Sequence, residues 1–202
     1  MPTAFQKELV TLAHRLADLC ALVVSTFEEA LRSVLESDHT LGGRVREDAV
    51  AVAALGAACE DQAGALLALH APREEDVKAV VAAVHIGADL TRMGGLAREV
   101  VEPRRVPVEV RPALGRLGGH AVAAARALRG LLAGEGGAGL DRAVALAGVG
   151  ERELRAEAGG GGWPHGMGAA VDVVLLAAAY GRFAATSALI ARRAAGFAPV
   201  GA

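Results

Sequence analysis

Residues 3–37, TAFQKELVTLAHRLADLCALVVSTFEEALRSVLES, place Phe5, Leu9, Leu12, Leu16, Leu19 and Val23 at alternating steps of three and four, and Phe27, Leu31 and Val34 continue the series. Side chains spaced in this way form one stripe along an α-helix, the seam by which it packs against other helices. At 1.5 Å per residue the helix is roughly 50 Å long, too long for a compact globule but suited to a bundle. Composition points the same way. The chain is 53% hydrophobic but only 3% aromatic, so its core must be built from Ala, Leu and Val, of which Ala and Leu are strong helix formers.

The rest of the chain repeats that helical pattern between breaks. A turn around Leu41, Gly42 and Gly43 is expected to close the first helix, and a second runs from about Arg44 to Leu69. Pro72 suits the first turn of a third helix, where its missing N–H is no loss, and Glu74, Glu75 and Asp76 favour the same positive end. This helix carries Val77, Val80, Val81, Val84 and Leu90 to about Val101, after which Pro103 and Pro107 mark a linker.

The second half follows the same plan. Pro112 opens a helix to about Leu132, glycines 134, 136, 137 and 139 break it, and Asp141 is placed to cap a fifth. Glycines 159–162 end that helix, and Pro164 opens a sixth, reaching about Ala195. The fold class is therefore all-α, with six helices in two tandem three-helix bundles over residues 1–102 and 108–197, related by an internal repeat. Aligning Arg92 with Arg182 also aligns Val81 with Val171, Val84 with Val174 and Met93 with Phe183.

Charge excludes some functions. The net charge is −2, from 21 basic and 23 acidic residues spread along the chain, which leaves no electrostatic footprint for a nucleic-acid backbone. Gln6, Lys7, Glu8, Arg15 and Asp18 interrupt any secretory signal, and no uninterrupted apolar run nears the roughly 20 residues of a membrane span. A cytoplasmic protein is expected. Cys20 and Cys59 have no CxxC spacing and read as buried thiols. No glycine cluster follows a strand or precedes a Lys-Ser or Lys-Thr pair, so these loops read as flexible connections and not phosphate cradles. Ser25, Ser33, Ser37 and Ser187 all fall in helical patterns without a nucleophile elbow, and no enzyme is expected.

Residues 66–98, LLALHAPREEDVKAVVAAVHIGADLTRMGGLAR, resemble the first signature region of the PhoU phosphate-uptake regulators, with its ADL start and Arg-Met-Gly core. Residues 3–20, TAFQKELVTLAHRLADLC, resemble the family's start, and residues 163–193, WPHGMGAAVDVVLLAAAYGRFAATSALIARR, its second signature. The resemblance implies a non-catalytic adaptor, commonly a homodimer. It reports on a phosphate ABC transporter, through its ATPase, to a sensor histidine kinase, and meets the membrane only through those partners.

The resemblance also implies a metal motif, a Glu and an Asp four residues apart in each signature helix, projecting from one face as hard oxygen ligands. Here those positions hold Thr91 and Gly95 in the first half and Gly181 and Ala185 in the second, while the family's acidic positions on the preceding helices fall on Ala53 and Gly148. Gly and Ala offer no donor, so neither a metal cluster nor any other cofactor is expected. Asp48, Glu60, Asp61 and Asp89 remain as acids from which a weaker site could assemble, and a diverged paralogue pairing with a complete PhoU protein is a further reading. Glu36 and His39 have the spacing of a di-iron bundle, but the motif occurs once and at a helix end.

Four residues are left as candidates for partner binding. Arg92 and Arg182 hold equivalent places in the two halves and persist where the adjacent ligands do not, which suits them to a partner carboxylate or phosphate or to an internal ion pair. His85 and Asp89 lie four apart on one helix face as a hydrogen-bonded pair or a surface contact. Gly94 and Gly95 soften the turn beside Arg92 or let it pack closely. Trp163, with Pro164 and His165, staples the start of the sixth helix or sits at an interface.

Overall fold

The computed structural model describes residues 3–70 and 73–195, which form six α-helices and one short 3-10 turn. Helix α1 (Ala4–Glu36) begins where Thr3 and Gln6 cap each other: the Thr3 hydroxyl accepts from the Gln6 amide at 3.2 Å and the Gln6 side chain accepts from the Thr3 amide at 2.9 Å. It ends at Ser37, in the left-handed conformation at φ 57°. Helix α2 (His39–Leu69) starts at once, because the Asp38 carboxylate accepts from the Thr40 amide at 2.8 Å and the Leu41 amide at 3.4 Å. Leu41, Gly42 and Gly43 are therefore the first turns of α2 and not the expected break, since a capping aspartate starts a helix through glycines that propensity alone would leave in a loop.

Helix α3 covers Glu74–Val100, with Glu74, Glu75 and Asp76 in its first turn. Pro72, expected to open it, lies outside the described residues, as do residues 196–197 at the expected end of the second half. A linker and the 3-10 turn Val108–Val110 lead into α4 (Arg111–Leu132), which has Pro112 in its first turn. Helix α5 (Leu140–Gly159) is capped by Gly139, at φ 83°, and not by Asp141, which lies within the first turn, at the positive end of the helix. Helix α6 (Gly166–Ala194) starts two residues after Pro164, which stays in the turn. There the Trp163 indole donates to the Gly166 carbonyl at 3.0 Å and meets the His165 ring edge-on.

Helices α1, α2 and α3 pack on one another, α4, α5 and α6 do the same, and the two triplets join where α1 meets α4 and α3 meets α6. Leu12, Leu16, Leu19, Val23 and Phe27, the seam read from the sequence, are fully buried in a cluster to which all six helices contribute. Phe27 reaches across to α6, stacked on Phe183 with ring centroids 3.6 Å apart and edge-on to Tyr180 at 5.5 Å. One turn further along α1, Leu31 packs onto Gly118 of α4, where even a methyl group would come within 2.5 Å of the leucine. Arg111 completes this side of the junction, donating to the Leu35 carbonyl at 3.1 Å and the Ser37 hydroxyl at 2.9 Å.

Contrary to the hydropathy reading of the sequence, α1, α2 and α6 are each long and apolar enough, by length and composition, to cross a membrane. Scattered charges break an uninterrupted run without greatly lowering the average of an alanine-rich window. In α1 and α6 the apolar residues form the buried core described above.

Replacing Phe27 by Ala would leave a cavity against Phe183 and Tyr180 where both halves meet. We expect Phe27→Ala to lower the stability by about 3–5 kcal/mol in a single unfolding transition of the whole chain, read by denaturant titration. Loss of one half only would refute a shared core.

Candidate functional site

The signature positions fall in two environments. The positions of the expected glutamates turn toward the second helix of their own half. Thr91 of α3 donates its hydroxyl to the Gly87 carbonyl at 3.0 Å and lies over Gly56 of α2. At the equivalent place in the second half the sizes are exchanged: Gly181 of α6 is bare, and Glu151 of α5 lies over it while its other oxygen accepts from Arg155 at 3.2 Å. In each half one member of the pair is a glycine, and the other fills its space. Ala53 lines the shallow α2/α3 groove beside Gly56 and Thr91, while Arg152 covers Gly148.

The positions of the expected aspartates converge instead. Gly95 of α3 and Ala185 of α6 both lie in a groove of about 630 Å³ between these helices, on the outer face of the junction between the halves. Leu96 and Leu189 complete its apolar floor, and Arg92, Arg182 and Arg192 stand along it. Arg182 holds Glu99 of α3 through both carboxylate oxygens, at 2.9 and 3.0 Å.

At one end of this face the Asp89 carboxylate, only 2% exposed, accepts from Arg92 at 2.7 Å and also from Arg193 of α6. A carboxylate this deep is tolerated because two guanidinium groups meet it. His85 is exposed on α3 and makes no hydrogen bond to Asp89 among the described residues. Glu36 pairs with Arg32 at 3.3 Å and not with His39, and Glu60 and Asp61 face solvent from α2.

The structure thus brings Arg92, Arg182 and Asp89 to one face and leaves His85 outside it. Sequence reasoning missed Glu99, Arg192 and Arg193. Glu99 lies seven residues after Arg92, two turns along the same face, a spacing that was there to be read. The two C-terminal arginines read only as charges suited to the end of a helix.

Comparison with known proteins agrees with this architecture. Residues 16–103 match the family model of the PhoU domain. The phosphate-specific transport system accessory protein PhoU homolog 2 of Mycobacterium tuberculosis is 33% identical over 96% of this chain and 95% of its own length. The chain belongs to the PhoU family. PhoU homolog 1 of Mycobacterium leprae is 32% identical over 96% of this chain and 91% of its own. Among solved structures, the phosphate transport system regulatory protein PhoU from Streptococcus pneumoniae superposes with a TM-score of 0.80 at 20% identity, covering 94% of each chain.

The metal that the PhoU resemblance implies does not fit these residues. Gly95, Ala185 and Gly181 present no donor, the Thr91 hydroxyl is given to a carbonyl, and Asp89 is already neutralised by arginine. Among the described residues no three His, Cys, Asp or Glu side chains converge. The thiols do not offer a substitute. Both are buried; burial pushes Cys20 up to about 12, against a smaller opposing effect of Arg129, and raises Cys59 as well. Cys20 should therefore resist alkylation by iodoacetamide at pH 8 in the folded protein and react on unfolding, as read by mass spectrometry.

The exchange of sizes at the signature pairs makes a sharper prediction. A methyl group on Gly56 would collide with Thr91, so Gly56→Ala gains helix propensity of about 1 kcal/mol only where the neighbour has been cut back. Gly56→Ala in a Thr91→Ala background should be more stabilising than in the native background by at least about 0.5 kcal/mol, read as a difference in denaturant midpoints. Equal effects in both backgrounds would show that the two side chains do not compete for this space.

Proposed function

We propose that this chain is an accessory regulator of phosphate transport that acts in the cytoplasm by contact, linking a phosphate ABC transporter ATPase to a sensor histidine kinase, without catalysis and without a metal cluster. The single observation that carries the reading is its similarity, over 96% of its length, to accessory proteins of the phosphate-specific transport system. The signature helices support a role through surfaces. Their ligand positions hold residues without donors, or with the donor already used, whereas Arg92 and Arg182 remain exposed on one face. We take residues 1–102 and 108–197 as the two repeat units, and the working form as a homodimer.

A second reading has its own support. Mycobacterium bovis has both a PhoU homolog 1 and a PhoU homolog 2, so one organism carries two members of the family. A chain lacking the signature carboxylates is suited to modulate a complete relative by pairing with it.

Deleting the gene in its host should derepress phosphate-responsive transcription in phosphate-replete medium, by about tenfold or more, and the full chain supplied in trans should restore repression. Unchanged transcription of those genes at high phosphate would overturn the reading. Dependence of the phenotype on a second PhoU gene would favour the paralogue form of it.

A further inference from the structure

The groove between α3 and α6 is open, apolar at its base and cationic along its edges, and these properties together identify what it can hold. Gly95 and Ala185 are exposed on its floor, so the backbone there is within reach of an incoming side chain. Leu96 and Leu189 offer apolar surface beside them. Three arginines and one glutamate line the groove, a local excess of two positive charges on a chain whose net charge is −2. Arg182 is engaged by Glu99, and Arg92 reaches Asp89 while remaining largely exposed. Arg192 has no ion pair among the described residues.

The basic character follows from the residues at the signature positions. Carboxylates at 95 and 185 would stand in the floor between Arg92, Arg182 and Arg192 and neutralise them from within. With glycine and alanine there, Asp89 and Glu99 offset Arg92 and Arg182 from within the chain, and the remaining positive charge, on Arg192 above all, is left for a carboxylate from outside. A free oxyanion would use the arginines but not the apolar floor. A nucleic acid would call for a far larger basic surface than a chain of this net charge presents. An amphipathic helix uses both: its apolar residues fill the floor, and carboxylates on either side of them meet the arginines. Guanidinium groups suit this role, since they pair with carboxylates in a fixed fork geometry and are weakly hydrated.

Resting on the regulator reading above, we propose that the α3/α6 groove is the docking site for an acidic amphipathic segment of a partner protein, with an apolar side chain seated over Gly95 and Ala185 and its carboxylates on Arg92 and Arg192. Such a contact forms faster and tighter at low ionic strength and discriminates strongly by charge.

The test uses the full chain and a fluorescent helical peptide of about 14 residues, roughly four turns, carrying leucines on one face and glutamates beside them. A copy with lysines in place of the glutamates serves as the charge control. Binding is read by anisotropy. The acidic peptide should bind at least about tenfold more tightly than the basic one, and the preference should fall as salt is added.

Arg192→Glu, and separately the pair Gly95→Asp and Ala185→Asp, should each weaken the acidic peptide by about tenfold or more. These exposed positions accept the changes, since nothing lies within 4 Å of a side chain begun at Gly95. The pair Gly95→Ser and Ala185→Ser adds similar bulk without charge and should stay within about threefold of the native chain. Circular dichroism verifies that each variant folds.

Equal binding of the two peptides, or binding unaffected by the aspartate pair, would overturn the proposal. So would displacement of the peptide by inorganic phosphate more effectively than by chloride at equal ionic strength, which would mark a simple oxyanion site. Self-association of the native chain that Arg192→Glu abolishes would assign the groove to a second copy and equally overturn it. The outcome is separable from that of the gene deletion: derepression without peptide binding removes the groove and keeps the regulator, and peptide binding without derepression does the reverse.

Discussion

Phe27 is the point on which the two halves depend. It projects from the C-terminal third of the long first helix, and its ring lies flat on Phe183 and edge-on to Tyr180, both from the last helix. In a chain that is only 3% aromatic, three of the few large rings are gathered at one place between the repeats. Aromatic contacts of this kind add specific geometry to their burial, so they set how α1 and α6 approach as well as how strongly. Gly118 beneath Leu31 and the Arg111 contacts to Leu35 and Ser37 hold the neighbouring turns in the same register.

That register decides what appears on the outer face. With Phe27 of α1 seated on Phe183 and Tyr180, α6 runs antiparallel to α3: Arg193 near the end of α6 reaches the buried Asp89 midway along α3, and Arg182 midway along α6 reaches Glu99 near the end of α3. Both ion pairs cross between the repeats, so the surface that carries the signature arginines is also part of the joint. A partner gripping Arg92 or Arg192 would pull on the same helices that hold the halves together.

The signature positions divide accordingly. Thr91 and Gly181 look inward to the second helix of their own half, and each belongs to a close pair in which one side is a glycine. Gly95 and Ala185 look outward into the common groove. Replacing donors by small residues therefore has two consequences. In the first environment the helices pack through complementary sizes, and in the second a floor is exposed between arginines that outnumber the acid beside them. Metal binding and acidic-segment binding make opposite demands on charge, and this chain meets the second.

The amino-acid sequence by itself determined the helical class and the six helices of the described residues, because apolar periodicity, proline and glycine act over a few residues. It misplaced helix starts where one side chain or one backbone angle outweighed propensity: Asp38 carried α2 through Gly42 and Gly43, and Gly139 took the cap expected of Asp141. Only the tertiary structure decided that Asp89 is buried under Arg193, that His85 stands apart, and that Gly95 and Ala185 share one groove. Those residues lie about a hundred positions or less apart on two separate helices, and no local pattern records which faces of two helices will meet.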